Sequence, residues 1–127
     1  MTRFVVPLHV KKNHWALAVV TKDKIEYYDS LYDSPPDTLQ FNLSMYCANA
    51  TLHLRIPLFE TRSRALGQLL PIEVMKVPKQ EDTDSCGVYA LYFAACVSRG
   101  ESPSDDFNPV HYRRFIERTT KKKNQSN

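Results

Sequence analysis

The feature that most constrains the fold is an unbroken apolar run, WALAVV, from Trp15 to Val20. Apolar residues that favour strands and show no polar alternation predict a strand that is buried on both faces. A polar turn, TKDK, follows this run, and IEYYD from Ile25 to Asp29 predicts a returning strand. The two strands are therefore expected to form a β-hairpin.

Further elements are predicted on both sides of this hairpin. Phe4 to Val10 is expected to be a short extended segment, and Pro7, which cannot donate a ladder hydrogen bond, indicates either a sheet edge or a bend. The remaining predictions are helices over 39–50, 60–70, 86–97 and 109 to about 121, and a strand over 72–77. This order predicts an α+β domain with a small mixed or antiparallel sheet flanked by helices. The length of 127 residues fits one domain over 1–120, followed by a disordered basic tail over 121–127.

Composition and charge disfavour several classes of protein. No apolar run reaches the length of a membrane span, and the first ten residues do not resemble a signal peptide. The net charge is only +3, and part of it comes from Lys121 to Lys123, which is too little and too local for a nucleic-acid surface. We expect an intracellular monomer, in the nucleus or cytoplasm, with neither nucleic acid nor membrane as its partner.

The cysteines favour a reactive thiol over a disulfide framework. Cys47, Cys86 and Cys96 are odd in number and form no CxxC pair, which favours a reducing compartment without disulfides and gives no support to a zinc site. Cys86 opens a predicted helix with Asp84 or Ser85 as its cap, and the free amides and dipole of a first turn favour a thiolate. A buried, inert side chain remains the alternative for Cys86, as we expect for Cys96.

A thiolate nucleophile needs a general base, and four histidines are available: His9, His14, His53 and His111. His14 directly precedes the apolar strand, and Asp29 ends the strand that returns from it. Antiparallel pairing places these two residues within about two positions of facing one another, so Asp29 can accept the ring proton of His14. Taken alone, His14 suits an exposed loop and Asp29 suits a turn.

An oxyanion site is predicted beside the same cysteine. Gln80 stands six residues before Cys86 and carries an amide donor, and the backbone N–H of Cys86 offers a second donor. Gly87 would let a substrate backbone approach closely. A glutamine in a polar loop carries little information by itself, but the four side chains in this order predict acyl transfer.

Three segments of this sequence resemble a known family. "NHWALAVV…IEYYDSL" and "VPKQEDTDSCGVYALYFA" are similar to the Ulp/SENP proteases, which process SUMO and its relatives, and "FNPVHYRRFIER" is similar to the C-terminal helix of that family. The resemblance implies a papain-like cysteine-peptidase core with His14, Asp29, Gln80 and Cys86 as its catalytic residues. It also implies a ubiquitin-like protein as the partner and no metal or cofactor.

The resemblance implies a substrate cleft as well. The counterpart of Trp15 lines a narrow tunnel for a Gly-Gly tail, and we expect Trp15, Ser85 and Gly87 to contact substrate. The sequence departs from the family pattern in three ways. Ser85 occupies a position where the SUMO proteases generally have Asp, and the hairpin between His14 and Asp29 is a little shorter than usual. The third is that family domains usually begin with a further N-terminal part that holds a second tunnel tryptophan. This last departure leaves the identity of the substrate open.

The sequence therefore predicts a cysteine peptidase or isopeptidase that cleaves after a small residue of a ubiquitin-like protein. Three alternatives remain open. The first is another enzyme on the same scaffold, either a viral or transposon-type polyprotein protease similar to adenain or an acetyltransferase, although such transferases tend to have Glu in place of Asp29. The second is a binding module for ubiquitin-like proteins that has lost catalysis. The third is a structural domain with a coincidental motif.

Overall fold

The computed structural model describes residues 3–11, 13–53, 69–82 and 84–125. In these ranges the chain forms four strands and three helices. The strands are β1 (Phe4–Val10), β2 (His14–Val20), β3 (Ile25–Tyr28) and β4 (Ile72–Val74). The helices are α1 (Leu39–His53), α2 (Cys86–Arg99) and α3 (Pro109–Gln125). All described helices are too short or too polar to cross a bilayer.

The strands form a single mixed sheet in the order β1-β2-β3-β4. β1 and β3 both pair antiparallel with β2, and β4 pairs parallel with β3. The hairpin predicted from the apolar run is confirmed, with Val20 opposite Ile25 and Leu17 opposite Tyr28. Because β4 runs parallel to β3, the chain that leaves β4 emerges beside the end of β3, and this brings the segment before α2 to that edge.

The central strand β2 is buried on both faces from Ala16 to Val20, as its composition predicted. Its even-numbered residues pack with α1, whose Leu39 and Leu43 belong to the same apolar cluster. Its odd-numbered residues, Leu17 and Val19, belong to a second cluster that contains Tyr89, Phe93 and Val97 of α2. The two-residue period of a strand thus sends alternate side chains into two separate cores, which hold α1 and α2 on opposite faces of the sheet.

Two predicted boundaries differ from the structure around β4 and α2. The sequence predicted a strand over 72–77, but β4 ends at Val74, which pairs with Tyr27. Because β3 continues for only one more residue, a strand that reached residue 77 would have no partner at its end. α2 continues two residues beyond the predicted end at Val97. It stops at Gly100, whose positive φ of 71° allows its N–H to bond to the carbonyl of Val97.

The other helix predictions have mixed outcomes. α1 begins at Leu39 as predicted and extends to His53. The helix predicted over 60–70 lies outside the described residues, except that 69 and 70 are described without regular structure. α3 begins at Pro109 as predicted but continues to Gln125, so residues 121–125 are helical rather than part of a disordered tail. Lysine is a good helix former and is favourable near a helix C-terminus, which explains the extension. The single domain over 1–120 stays a prediction.

Candidate active site

The candidate site begins with a buried contact between His14 and Asp29. Nε2 of His14 lies 2.7 Å from Oδ1 of Asp29, and the two side chains are 7% and 1% exposed. The hairpin register explains the contact, since one further pair would place Asp29 opposite Ala16, two residues along the strand from His14. Asp29 also accepts hydrogen bonds from the backbone N–H of Leu31 at 2.8 Å and from the hydroxyl of Tyr27 at 3.3 Å. Three donors therefore hold this carboxylate in place.

The second ring nitrogen of His14 has a different environment. Nδ1 is buried, and no described residue forms a hydrogen bond with it. A neutral imidazole that donates from Nε2 to Asp29 must keep Nδ1 as an acceptor, so the tautomer is determined by the carboxylate. Burying an acceptor without a donor is unfavourable, so Nδ1 is the ring atom of His14 that remains available to accept a hydrogen bond.

The thiol of Cys86 lies at the end of β2 that carries His14. Its Sγ is 3.7 Å from the carbonyl oxygen of Asn13, the residue directly before His14. Asn13 and Lys11 both have positive φ angles, 59° and 50°, in the turn that joins β1 to β2. This tight turn directs a backbone carbonyl towards the first turn of α2, so the thiol donates to that carbonyl in the structure.

The start of α2 is organised by Asp82 rather than by either predicted cap. Ser85 occupies the cap position, but its side chain makes no capping hydrogen bond to the helix. Its hydroxyl instead donates to Oδ2 of Asp82 at 2.8 Å, while Oδ1 accepts from the N–H groups of Asp84 and Ser85 at 2.9 and 2.8 Å. The hydrogen bond from the Ser85 hydroxyl and those from the two amides lower the pKa of Asp82, against a smaller opposing effect of desolvation.

Gln80 is buried beside this turn, with 3% of its surface exposed. Its Nε2 donates to the carbonyl oxygen of Asp82 at 2.8 Å, and its Oε1 accepts from the hydroxyl of Ser30. Its backbone N–H donates to the carbonyl of Ser30 at 2.8 Å. The position of Gln80 is therefore determined by the end of β3 on one side and by the loop before Cys86 on the other.

Trp15 and Gly87 lie side by side at the surface. Trp15 is 42% exposed, and its ring contacts that of His9 at a centroid distance of 4.9 Å. A Cβ built on Gly87 would lie 3.9 Å from Cδ1 of Trp15, which is an ordinary contact, so the tryptophan alone does not require a glycine there. Both residues line an apolar groove of about 590 Å³ between the sheet, α2 and α3. Ser85, by contrast, is buried and faces Asp82.

One group of side chains in the described ranges has the composition of a metal site. His14, Asp29 and Asp33 each offer a ligand atom, and these atoms lie within 4.8 Å of one another. The hydrogen bond between His14 and Asp29 already accounts for two of them, and the ammonium group of Lys11 lies 3.6 Å from the third. A neighbouring cation opposes the binding of another, so the group is better described as a hydrogen-bonded pair, His14 and Asp29, beside an ion pair between Lys11 and Asp33.

The structure brings His14 and Asp29 into contact. It also links Gln80 to Ser85, the neighbour of Cys86, because both residues form hydrogen bonds with Asp82. Sequence reasoning missed the contributions of Asp82 and Ser30. An aspartate that bonds to amides two and three residues later is a common turn signal, so Asp82 could have been found from its spacing to Ser85. No local signal predicts Ser30, because its partner is fifty residues away.

Comparisons with known proteins identify the family of this chain. A sequence profile of the Ulp1 protease family, C-terminal catalytic domain, matches residues 4–126. The chain belongs to this family. The resemblance to the Ulp/SENP proteases that the sequence predicted is confirmed.

Individual relatives are more distant and longer. A sentrin-specific protease of Caenorhabditis elegans is 28% identical over 123 residues, which are 94% of this chain and 17% of that protein. The yeast Ulp1 C-terminal protease domain, solved in complex with the SUMO orthologue Smt3, superposes with a TM-score of 0.60 at 22% identity, over 90% of this chain and 49% of that one. A Chaetomium thermophilum Ulp1-like SUMO protease catalytic domain gives 0.61 at 18% identity, over 88% and 43%. The predicted α+β class is confirmed, and the chain spans about half the length of these solved structures.

Proposed function

We propose that this chain is a cysteine protease that cleaves a SUMO-type ubiquitin-like protein after its terminal glycine. The observation that carries the proposal is the state of His14: one ring nitrogen is bonded to Asp29 at 2.7 Å, and the other is buried without a partner among the described residues. This is the arrangement that a base needs in order to take a proton from a neighbouring thiol. Membership of the Ulp1 protease family supports the same reaction.

The proposed reaction begins with transfer of the Cys86 thiol proton to Nδ1 of His14. The thiolate attacks the carbonyl carbon of the cleaved bond, and the electron pair of the carbonyl moves to its oxygen. The second N–H of the Gln80 amide and the backbone N–H of Cys86 bind this oxyanion. When the carbonyl re-forms, the C–N bond breaks and His14 returns its proton to the leaving amine.

The second half of the reaction releases the acyl group from the enzyme. His14 takes a proton from a water molecule, the resulting hydroxide attacks the thioester, and the thiol is restored when the sulfur leaves with the proton. Asp29 stabilises the imidazolium in both halves because its carboxylate holds Nε2–H in a low-dielectric setting. Neither a metal nor a cofactor takes part in these steps.

The proposed substrate preference depends on Trp15 and Gly87. A flat, rigid ring beside the base leaves little room for side chains near the cleaved bond, which favours glycine. The choice of a SUMO-type protein follows from the relatives, one of which was solved in complex with a SUMO orthologue. An intracellular, monomeric protein without nucleic-acid or membrane partners stays a prediction within this proposal.

A second candidate is a binding module that contacts a ubiquitin-like protein without turnover. One observation favours it: the Cys86 thiol donates to the Asn13 carbonyl rather than to His14. A polyprotein protease on the same scaffold would also use Cys86 but would not require a folded ubiquitin-like partner.

Covalent labelling tests these functions together. The protein is incubated with SUMO, NEDD8 and ubiquitin, each carrying a C-terminal thiol-reactive group, and adducts are located by intact mass and peptide mapping. We expect an adduct on Cys86 with SUMO that is lost in His14→Ala. Fast alkylation of Cys86 by a small reagent without any protein adduct would favour the polyprotein protease. Cys86 reactivity equal to that of Cys47, combined with SUMO affinity, would favour the binding module.

A further inference from the structure

Ser30 lies directly after Asp29 at the end of β3 and is 1% exposed. Its hydroxyl donates to Oε1 of Gln80, and its carbonyl accepts from the backbone N–H of Gln80 at 2.8 Å. A single residue thus holds both the main chain and the side chain of Gln80. The contact joins parts of the chain that are fifty residues apart, so only the packing of the loop after β4 against β3 creates it.

The chemistry of the partners determines which way the Gln80 amide points. The carbonyl oxygen of Asp82 can only accept a hydrogen bond, so the amide atom that faces it must be the nitrogen. The opposite atom is then Oε1, and Ser30 must donate to it. Without the Ser30 hydroxyl, the buried Oε1 would lose its donor, and among the described residues the Gln80 amide group would be held only by its bond to Asp82.

We propose that Ser30 is a positioning residue that orients the Gln80 amide for oxyanion binding, and this proposal rests on the function proposed above. Donation to Oε1 draws electron density from the amide and makes its N–H groups stronger donors. Asp29 holds the base and Ser30 holds the oxyanion donor, so the end of β3 aligns both groups through adjacent residues. A shift of this strand end would then disturb the two groups together.

The expected signature is a change in the chemical step rather than in substrate binding. Oxyanion donors act on charge that develops in the transition state, so kcat should fall while KM stays within about twofold. Loss of an oxyanion donor lowers kcat by roughly 10²- to 10³-fold. Ser30→Ala keeps the donor but loosens it, and we expect a smaller loss of roughly 10- to 100-fold.

A double-mutant cycle tests whether Ser30 acts through Gln80. Cleavage of a SUMO precursor is measured for the wild type, Ser30→Ala, Gln80→Ala and the double variant. If Ser30 positions the amide, Ser30→Ala lowers kcat in the wild type but has no further effect in Gln80→Ala. Equal losses in both backgrounds would overturn the proposal and leave the proposed protease function intact. Ser30→Thr retains a hydroxyl and should restore most of the lost rate.

Ser44 provides a matched control for the loss of a buried hydroxyl. It is 3% exposed, and its Oγ accepts from the backbone N–H of Leu70 at 2.9 Å, outside the candidate site. Ser44→Ala should lower stability but not kcat. A fall in kcat equal to that of Ser30→Ala would show that the rate loss is a general effect of destabilisation.

A spectroscopic measurement tests the contact without any need for turnover. In protein labelled with ¹⁵N-glutamine, the side-chain NH₂ signals of Gln80 are identified by their absence in Gln80→Ala. We expect Ser30→Ala to shift these signals and speed their exchange with water, and Ser30→Thr to preserve them. Unchanged signals in Ser30→Ala would overturn the proposal even if the protein lacked protease activity. Should Ser30→Ala fail to fold, Ser30→Cys supplies a weaker donor of similar size and should show a smaller shift in the same direction.

Discussion

Oδ1 of Asp29 lies 2.7 Å from Nε2 of His14, and this buried bond leaves Nδ1 of the same ring without a partner among the described residues. The bond joins the two strands of one hairpin, so short local connections are enough to create it. The two ring nitrogens therefore differ before any substrate is present. The carboxylate can only accept a hydrogen bond, so the proton of the neutral ring stays on Nε2 and Nδ1 remains an acceptor. The following predictions depend on this pair and on the loop that holds Cys86.

Replacing Cys86 with alanine should abolish cleavage and leave the fold nearly intact. Loss of a nucleophile from a comparable catalytic triad lowers kcat by about 10⁶-fold, because no other group forms the acyl intermediate. The measurement is SUMO precursor cleavage together with the circular dichroism spectrum and urea midpoint. Cys96→Ala in the same helix is the control, since Cys96 is buried at the far end and should affect stability alone. A Cys86→Ala variant that still cleaves substrate would refute the assignment.

Replacing Asp29 with alanine should reduce activity strongly without eliminating it. The imidazole would lose its acceptor, and rates fall by about 10⁴-fold when the corresponding residue of a serine protease is changed. We also expect a loss of about 1–3 kcal/mol in the free energy of unfolding, because buried donors would be left unpaired. Asp23→Ala, in the exposed β2–β3 turn, should change neither quantity. Unchanged kinetics in Asp29→Ala would reduce Asp29 to a turn residue.

The three cysteines should differ sharply in their rate of alkylation. Burial raises the pKa of the Cys47 thiol to about 11, so at pH 7.5 (a convenient labelling pH, about 3.5 units lower) almost none of it is thiolate. Cys96 is 1% exposed and should also be slow. Limited iodoacetamide followed by peptide mapping should find the label on Cys86 first, and His14→Ala should slow this reaction. Equal labelling of Cys47 and Cys86 would contradict an activated thiol.

Asp82 should link the stability of the protein to acid pH. Its pKa is lowered in the folded state, chiefly by the Ser85 hydroxyl, so its stabilising contribution is present above the unfolded value of about 3.9 and is lost as pH falls through the folded value. Asp82→Asn should therefore lower the urea midpoint at pH 7, and the difference from wild type should shrink towards pH 3. Asp23→Asn should show no such difference. If the urea midpoints of the wild type and Asp82→Asn differed by the same amount from pH 7 to pH 3, ionisation of Asp82 would not contribute to stability.

Replacing Trp15 with alanine should relax the selectivity for glycine in the proposed substrate. The ring is 42% exposed, so its loss should cost little stability and should mainly widen the cleft. We expect the wild type to reject a SUMO precursor in which the penultimate glycine is changed to alanine, and Trp15→Ala to cleave it relatively better. An unchanged ratio of kcat/KM for the two substrates would show that Trp15 does not limit the cleft.

The sequence by itself determined the elements whose causes are local. The apolar run of β2 predicted burial on both faces, and the short turn after it limited His14 and Asp29 to neighbouring positions. The acidic loop before an apolar stretch predicted that α2 begins at Cys86. Periodicity and short connections act over a few residues, so a sequence pattern is sufficient to read them.

Only the tertiary structure decided how the segments around Cys86 are held. The parallel pairing of β4 with β3 brings Gln80 to Ser30, and the Asn13 turn directs its carbonyl to the thiol. Asp82, rather than the predicted cap residues, bonds to the amides before α2. Each of these contacts requires a donor and an acceptor to meet within a few tenths of an ångström. Such positions depend on how distant parts of the chain pack, and the residue types alone do not determine them.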